Sequence, residues 1–368
     1  MLPHQRVDRN VERRSLSARL HLGTFPDPVT MRPITGQPEG EPTVTESSPA
    51  RLLGQFDPSL SMDASTRPPG SWYRDQEIYR AERDTVFKNQ WLLAAREDQL
   101  RASGDYASCQ VASEPYVIVR DETDSLRAYY NVCRHQAAAV VVGAGNAPAL
   151  VCPFHGWTYG LDGCLQSAPD IDDDINDGNC DQSQFGLLPM QVGEIGPLIF
   201  ICMAEASRSI DRDLADFQSH LNSLDISSLT FVTRENYTLG CNWKAWIDQY
   251  LGSGQPNGRW TYPNLMIGQS GPLFETWRVT PRAPEECELI VDYYDTAQGD
   301  DLDTALDESR AAIKDHNALA RSAQKDATRR DATESAGRQM GYSRSDTAKF
   351  DFHVRLATDF RRQLPPPP

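Results

Sequence analysis

Hydrophobic and polar positions alternate with a period of two in several short stretches of the first half of the chain: 105–111, 116–120, 126–132 and 150–152. This is the pattern of half-buried strands. Asp121-Glu122-Thr123-Asp124-Ser125 predicts a hairpin turn between two of them. Upstream, 76–90 reads as a helix running into the strand-like Trp91-Leu92-Leu93, and 187–192 and 198–203 read as two closing strands. These elements predict a small antiparallel β-domain over 69–205.

Beyond a helix predicted over 209–223, a second domain begins near Leu229 and spans 206–363. Asn242 is placed to cap a helix whose Trp243, Trp246, Ile247, Tyr250 and Leu251 share one face. The run Gly252-Ser253-Gly254-Gln255-Pro256-Asn257-Gly258 then has loop composition. Strands are predicted over 265–269, 274–280 and 287–294, with Pro281 and Pro284 marking the last turn. A helix over 301–336 follows, its apolar stripe running through Leu302, Leu306, Ser309, Ile313 and Leu319. The fold class expected is α+β: an antiparallel β-domain followed by a helix-and-antiparallel-sheet domain.

Residues 1–68 are Pro-, Ser- and Arg-rich with little periodicity and read as a disordered leader; 364–368 is a proline tail. Arg6, Arg9, Arg13, Arg14 and Arg19 with Leu16, Leu20 and Leu22 suit an organelle-targeting peptide, whereas Asp8 and Glu12 count against one. A cytoplasmic location is therefore expected, with a mitochondrial or other organellar one as the alternative. No apolar run is long enough to span a bilayer, so no membrane partner is expected. The formal net charge of −16 argues against nucleic acid. Eight cysteines scattered over 368 residues, with no secretory leader, do not form a disulfide framework. The acids Asp170, Asp172, Asp173, Asp174 and Asp177 lack a calcium-loop pattern and read as a solvated loop.

The chemistry is concentrated in Cys133-Arg134-His135 and Cys152-Pro153-Phe154-His155. Zinc is held by the same residue types, but zinc fingers usually pair Cys with Cys and His with His. Here each knuckle supplies one of each. A Rieske 2Fe–2S centre requires that mixture, with two thiolates on one iron and two imidazoles on the other. Cys133, His135, Cys152 and His155 are therefore the expected cluster ligands. Gly156, Gly160 and Gly163 allow tight turns beside them, and Trp157 and Tyr159 either wall the cluster or pack in the β-core.

The runs 131–135 and 152–163, followed by Asn242-Trp243-Lys244, resemble the α subunit of Rieske-type ring-hydroxylating oxygenases, choline monooxygenase-like members above all. The resemblance implies a Rieske domain that feeds electrons from a ferredoxin or reductase to a mononuclear Fe(II). It also implies hydroxylation of a small quaternary amine such as choline, as in glycine betaine biosynthesis, and a homo-oligomeric assembly. Trp246, Trp260 or Tyr262 would then hold the cation by cation–π contact.

At the mononuclear iron this sequence departs from the family. Relatives place an acidic residue and two histidines after the Asn-Trp-Lys helix, and a distant carboxylate completes a facial triad. Here the family pattern stops near Leu251 and resumes at Tyr262, and both histidines are missing. Of seven histidines, His4 and His21 lie in the leader, and His220, His316 and His353 have no ligand pattern. Asp326 falls about where the family's carboxylate lies and is the one candidate iron ligand. The alternative to an oxygenase is thus a non-catalytic Rieske electron-transfer protein, or a mis-spliced gene product without the mononuclear site.

Overall fold

The strands of the first domain are short because turn-forming residues interrupt the apolar alternation every few positions. In the computed structural model, residues 53–169, 171, 182–224, 229–254, 258–297, 301–334 and 341–363 are described. The acidic loop residues Asp170, Asp172, Asp173, Asp174 and Asp177, the leader up to residue 52 and the proline tail lie outside them. Helix α1 (Gln76–Thr85) is capped by Asp75, whose carboxylate accepts from the amides of Glu77 and Ile78. It stops short of the predicted 90, giving way to a tight turn at Phe87–Asn89.

Ten strands follow: β1 (Leu92–Arg96), β2 (Asp105–Val111), β3 (Glu114–Arg120), β4 (Leu126–Tyr130), β5 (Ala144–Asn146), β6 (Leu150–Val151), β7 (Thr158–Tyr159), β8 (Leu165–Ser167), β9 (Pro189–Ile195) and β10 (Leu198–Cys202). Seven of them form an antiparallel sheet in the order β1-β10-β9-β4-β3-β2-β5, and β6-β7-β8 form a small second sheet. The predicted hairpin turn stands: Asp121 Oδ1 accepts from the amides of Thr123 and Ser125.

The C-terminal region is a five-stranded antiparallel sheet with helices against it. After helix α2 (Ala215–Ser223) come β11 (Thr230–Leu239), α3 (Trp243–Gly252), β12 (Gly258–Thr261), β13 (Leu265–Ser270), β14 (Leu273–Ala283) and β15 (Glu286–Asp295). Their order is β11-β15-β14-β13-β12. Helices α4 (Leu302–Glu334) and α5 (Thr347–Gln363) complete the chain.

Several expectations are corrected. Residues 53–67 are not leader: Phe56 is buried and packs edge-on against Trp72, and Arg67 pairs with Asp346. Edge strand β12 occupies the end of the stretch read as a loop. Pro281 lies inside β14 opposite Cys287, so the turn falls after Ala283. On α4, Leu319 is exposed, and the buried stripe runs instead through His316, Ala320, Gln324 and Ala327, a continuation of the same helical period. The seven described cysteines are free thiols. No helix among the described residues is long and apolar enough to cross a membrane.

The start of α3 ties these parts together. Asn242 caps the helix by accepting from Lys244 N–H, and its side chain donates to Pro284 O at 2.6 Å. Gln324 of α4 accepts from Asn242 N–H and donates to Tyr73 O. Lys244 and Glu82 of α1 form an ion pair with no exposure on either side, and Trp243 Nε1 donates to the other Glu82 oxygen at 2.8 Å. Burial pushes Glu82 up and pulls Lys244 down, and their mutual attraction opposes both shifts.

Removing one member of a buried pair leaves an uncompensated charge, at a cost of about 3–5 kcal/mol. Lys244→Met is expected to lose roughly that much stability in urea unfolding, and Glu82→Gln combined with Lys244→Met distinctly less. A double-variant loss equal to the sum of the Lys244→Met and Glu82→Gln losses would show that the pair is not coupled.

Candidate functional site

Two loops at one end of the β-domain share a backbone design. In the first, which leaves β4, Cys133 N–H donates to Ala138 O and Ala137 N–H to Cys133 O. In the second, which joins β6 to β7, Cys152 N–H donates to Trp157 O and Gly156 N–H to Cys152 O. The residue four positions after each cysteine is left-handed, Ala137 at φ 60° and Gly156 at φ 74°. Asn131 braces the first loop: its side chain donates to Val141 O and accepts from the amides of Val140 and Val141. Below the loops, Gly163 is left-handed, and a Cβ there would lie 2.4 Å from the Tyr129 ring.

This scaffold buries Cys133 and Cys152 side by side. The rings of His135 and His155 meet at 4.6 Å between centroids, and Trp157 stacks on His135 at 5.1 Å with 5° between planes. Tyr159 OH accepts from Arg134 N–H at 3.0 Å and lies 3.3 Å from Cys133 Sγ, so its own proton is free to point at the sulfur. Burial pushes the Cys152 thiol up, while the backbone N–H groups of Phe154 and His155 aim at its sulfur and oppose the shift. Two neighbouring thiols with hydrogen-bond donors aimed at them, beside two facing imidazoles, fit the donor set of a 2Fe–2S cluster with mixed ligation. Trp157 and Tyr159 are both buried in the β-core, and each lies against one of the four candidate ligands, Trp157 on His135 and Tyr159 beside Cys133.

The candidate residues for a second metal are not brought together. Asp326 is exposed on α4, its carboxylate 3.4 Å from Arg329. His316 is buried against the Trp246 ring at 4.4 Å, with Nε2 3.3 Å from Trp246 O. His353 on α5 lies 3.0 Å from Asp248 on α3, and Tyr73 OH donates to the same carboxylate at 2.7 Å. Burial alone would raise Asp248; the His353 imidazole and the Tyr73 hydroxyl outweigh it and hold the carboxyl below its usual range. One imidazole beside one carboxylate is not the two-histidine set that selects Fe(II).

The aromatic residues expected to hold a cation are otherwise engaged. Trp246 is fully buried and donates to Asn317, while Trp260 and Tyr262 pack on Phe352 beneath the Arg355 guanidinium. A cavity of about 220 Å³ opens instead beside Tyr250, Glu275, Trp277 and Ser309. The signal for it is the acid at position 275, which stands beside Phe274 and Trp277 in the central strand.

Comparison with known proteins agrees with this geometry. The Rieske [2Fe-2S] domain family model matches residues 90–182. Chloroplastic choline monooxygenase of Arabidopsis thaliana is 28% identical over 324 residues, covering 72% of this chain and 74% of that protein. The glycine betaine monooxygenase oxygenase subunit of Pseudomonas aeruginosa (strain UCBPP-PA14) is 30% identical over 208 residues, covering 56% and 47%. The crystal structure of the quaternary ammonium Rieske monooxygenase CntA shares the fold with a TM-score of 0.70 at 22% identity, covering 86% of this chain and 100% of that one. Naphthalene 1,2-dioxygenase from Rhodococcus sp. gives 0.70 at 19%, covering 86% and 99%.

Tyr159→Phe removes the hydroxyl that lies 3.3 Å from Cys133 Sγ. The reduction potential of the iron-loaded protein is expected to fall by roughly 20–60 mV, the equivalent of a hydrogen bond of about 0.5–1.5 kcal/mol in a one-electron couple. Protein-film voltammetry measures this; an unchanged potential would remove Tyr159 from the ligand environment.

Proposed function

We propose that this chain, which belongs to the α-subunit family of Rieske-type oxygenases, is an oxidoreductase that takes up electrons singly from a ferredoxin or reductase and serves the oxidation of a small quaternary amine such as choline. The observation that carries this reading is the pair of matched loops with their neighbouring thiols and facing imidazoles. Cys133 and Cys152 would hold one iron and His135 and His155 the other, and the cluster when bound supplies one-electron transfer at a potential raised by its imidazoles. The chain's own groups set the environment. Tyr159 and the amides of Phe154 and His155 direct hydrogen bonds to sulfur, and Trp157 covers one face of His135. Exposed His155, with Phe154 69% and Val151 49% exposed, offers an apolar edge for electron entry. Cytoplasmic location and homo-oligomeric assembly belong to the same proposal.

A second reading has a specific observation behind it. Helix α3 ends at Gly252 with Asp248 facing His353, and the sequence up to Tyr262 holds no histidine. Among the described residues no two-histidine, one-carboxylate set is assembled, and on this reading the chain carries electrons without oxygenating a substrate itself.

One set of measurements tests both. Protein produced with adequate iron and sulfide should bind about two irons per chain and, once reduced, show the low-average-g electron paramagnetic resonance signal of imidazole-ligated clusters. Cys133→Ser and Cys152→Ser should each abolish it. Stoichiometric zinc in place of iron would overturn the cluster. In single turnover with dioxygen and choline, the second reading expects no hydroxylated product; a third tightly bound iron together with product would establish the oxygenase instead.

A further inference from the structure

A pair of thiols outside the cluster loops is in contact. Cys287 lies in β15 opposite Leu239, the last residue of β11. Two positions further on, Cys241 falls on the same face by the period of two, and its sulfur stands 3.9 Å from that of Cys287. Both side chains are fully buried. The backbone around them is already held together, because the next residue, Asn242, donates from its side chain to Pro284 O at 2.6 Å. On the outer side, Gly240 has open space where a Cβ would stand, and with Glu285, Arg321 and Gln324 it lines an open cleft of about 570 Å³. Solvent therefore comes within one residue of Cys241.

A buried cysteine by itself behaves as a small apolar side chain and is inert. These two differ from that case because each sulfur is the other's neighbour and their surroundings divide the protons unequally. With Cys287 as donor, the hydrogen bond between them lowers the Cys241 thiol, and the Arg321 guanidinium lowers it further against its burial. The same bond raises Cys287, as do burial and the charges of Cys241, Glu286 and Glu288. Cys241 is thus the sulfur that gives up its proton, and Cys287 is the thiol in contact with it. A thiolate oxidised next to a second thiol condenses to a disulfide before it advances to the irreversible sulfinic acid. Closure brings the sulfurs from 3.9 Å to about 2.05 Å, a movement shared between two side chains.

We propose that Cys241 and Cys287 are a hydroperoxide-reactive dithiol that closes to a reversible disulfide, clasping the residue ahead of the Asn242 cap to β15. The Cys241 thiolate attacks one peroxide oxygen; the S–O bond forms, the O–O bond breaks, and hydroxide leaves as water after taking up a proton. Cys287 then attacks the Cys241 sulfenic acid; the S–S bond forms, the S–O bond breaks, and the Cys287 proton leaves with the hydroxyl as a second water. Two thiols are oxidised by two electrons and one peroxide is reduced to two waters. The clasp encloses the segment from Cys241 to Cys287, which includes α3 and strands β12 to β14, and holds Trp243 and Lys244 where they meet Glu82. Neither cysteine is a candidate cluster ligand, so the device is independent of the proposed function.

The test treats the iron-loaded full-length chain with hydrogen peroxide, caps remaining thiols with N-ethylmaleimide and maps the tryptic peptides without reduction. Cys241 lies in peptide 235–244 and Cys287 in peptide 283–310, each the one cysteine of its peptide. The two should appear joined, and dithiothreitol should separate them. In Cys287→Ala, dimedone should label Cys241 as the sulfenic acid; in Cys241→Ala it should leave Cys287 unlabelled. The urea midpoint of the oxidised wild type should rise above that of the reduced protein and return with dithiothreitol, because the bond restricts the unfolded chain. Free thiols at 241 and 287 after the exposed Cys109 and Cys164 have been oxidised overturn the proposal, whether or not the variants fold. So does a Cys133–Cys152 cross-link formed while this pair stays reduced. Dimedone labelling of Cys287 in Cys241→Ala overturns the order of the steps, and an unchanged urea midpoint overturns the clasp.

Discussion

The buried ion pair between Lys244 and Glu82 is the constraint on which the arrangement of this molecule depends. Two charges without solvent are tolerated only where geometry and additional hydrogen bonds compensate them, and here that compensation draws on distant parts of the chain. Glu82 comes from α1, ahead of the cluster-binding strands; Lys244 comes from α3, after them. Trp243 satisfies the second Glu82 oxygen, and the Tyr73 ring lies 5.5 Å from the ammonium. The pair therefore fixes where the first helix sits on the last sheet. Asn-Trp-Lys thus acts in architecture, as a helix cap, an indole donor and a buried charge in succession.

A second ionic knot fastens the two sheets. Asp292 of β15 is bound by Arg234 and approached at 3.9 Å by Arg278 and by Arg96 of β1, while Arg278 also donates to Leu93 O. The Arg96 guanidinium in turn lies 3.5 Å over the Phe231 ring. Three arginines around one buried aspartate contrast with Glu275, which accepts from the Ser309 hydroxyl and borders a cavity with no lysine, arginine or histidine in its lining. The same sheet thus carries one carboxylate that is over-compensated and structural and another that has no basic partner among the residues around it. The second borders a cavity.

Legibility in the sequence followed the range of the interactions concerned. The strands 105–111 and 265–269 were readable because alternation and turn residues are local, and the Asn242 cap because its partner is two residues away. The four candidate cluster ligands could be singled out because such a ligand set imposes residue types at short spacing. What failed was set at long range. Edge strand β12 has only β13 to pair with, and at four residues it is too short to show alternation. Residues 53–67 lack periodicity yet are ordered by Trp72 and Asp346. Leu319 was placed in the α4 stripe, which passes instead through His316, because sequence cannot show that Trp246 shields the imidazole. The aromatic residues near a binding site were sought among the nearest tryptophans, and Arg355, which already occupies Trp260 and Tyr262, lies nearly a hundred residues away.

The two cluster loops match in hydrogen bonding but not in the residue at their left-handed position. Gly156 adopts that conformation without penalty, whereas Ala137 at φ 60° carries a cost of about 1–2 kcal/mol. The loop around Cys133 is therefore held under strain, braced by Asn131, and the loop around Cys152 is free of it at the corresponding position. Two loops with one hydrogen-bond design thus differ in what their backbones store: opening the first would return that cost, and opening the second would return nothing at its glycine.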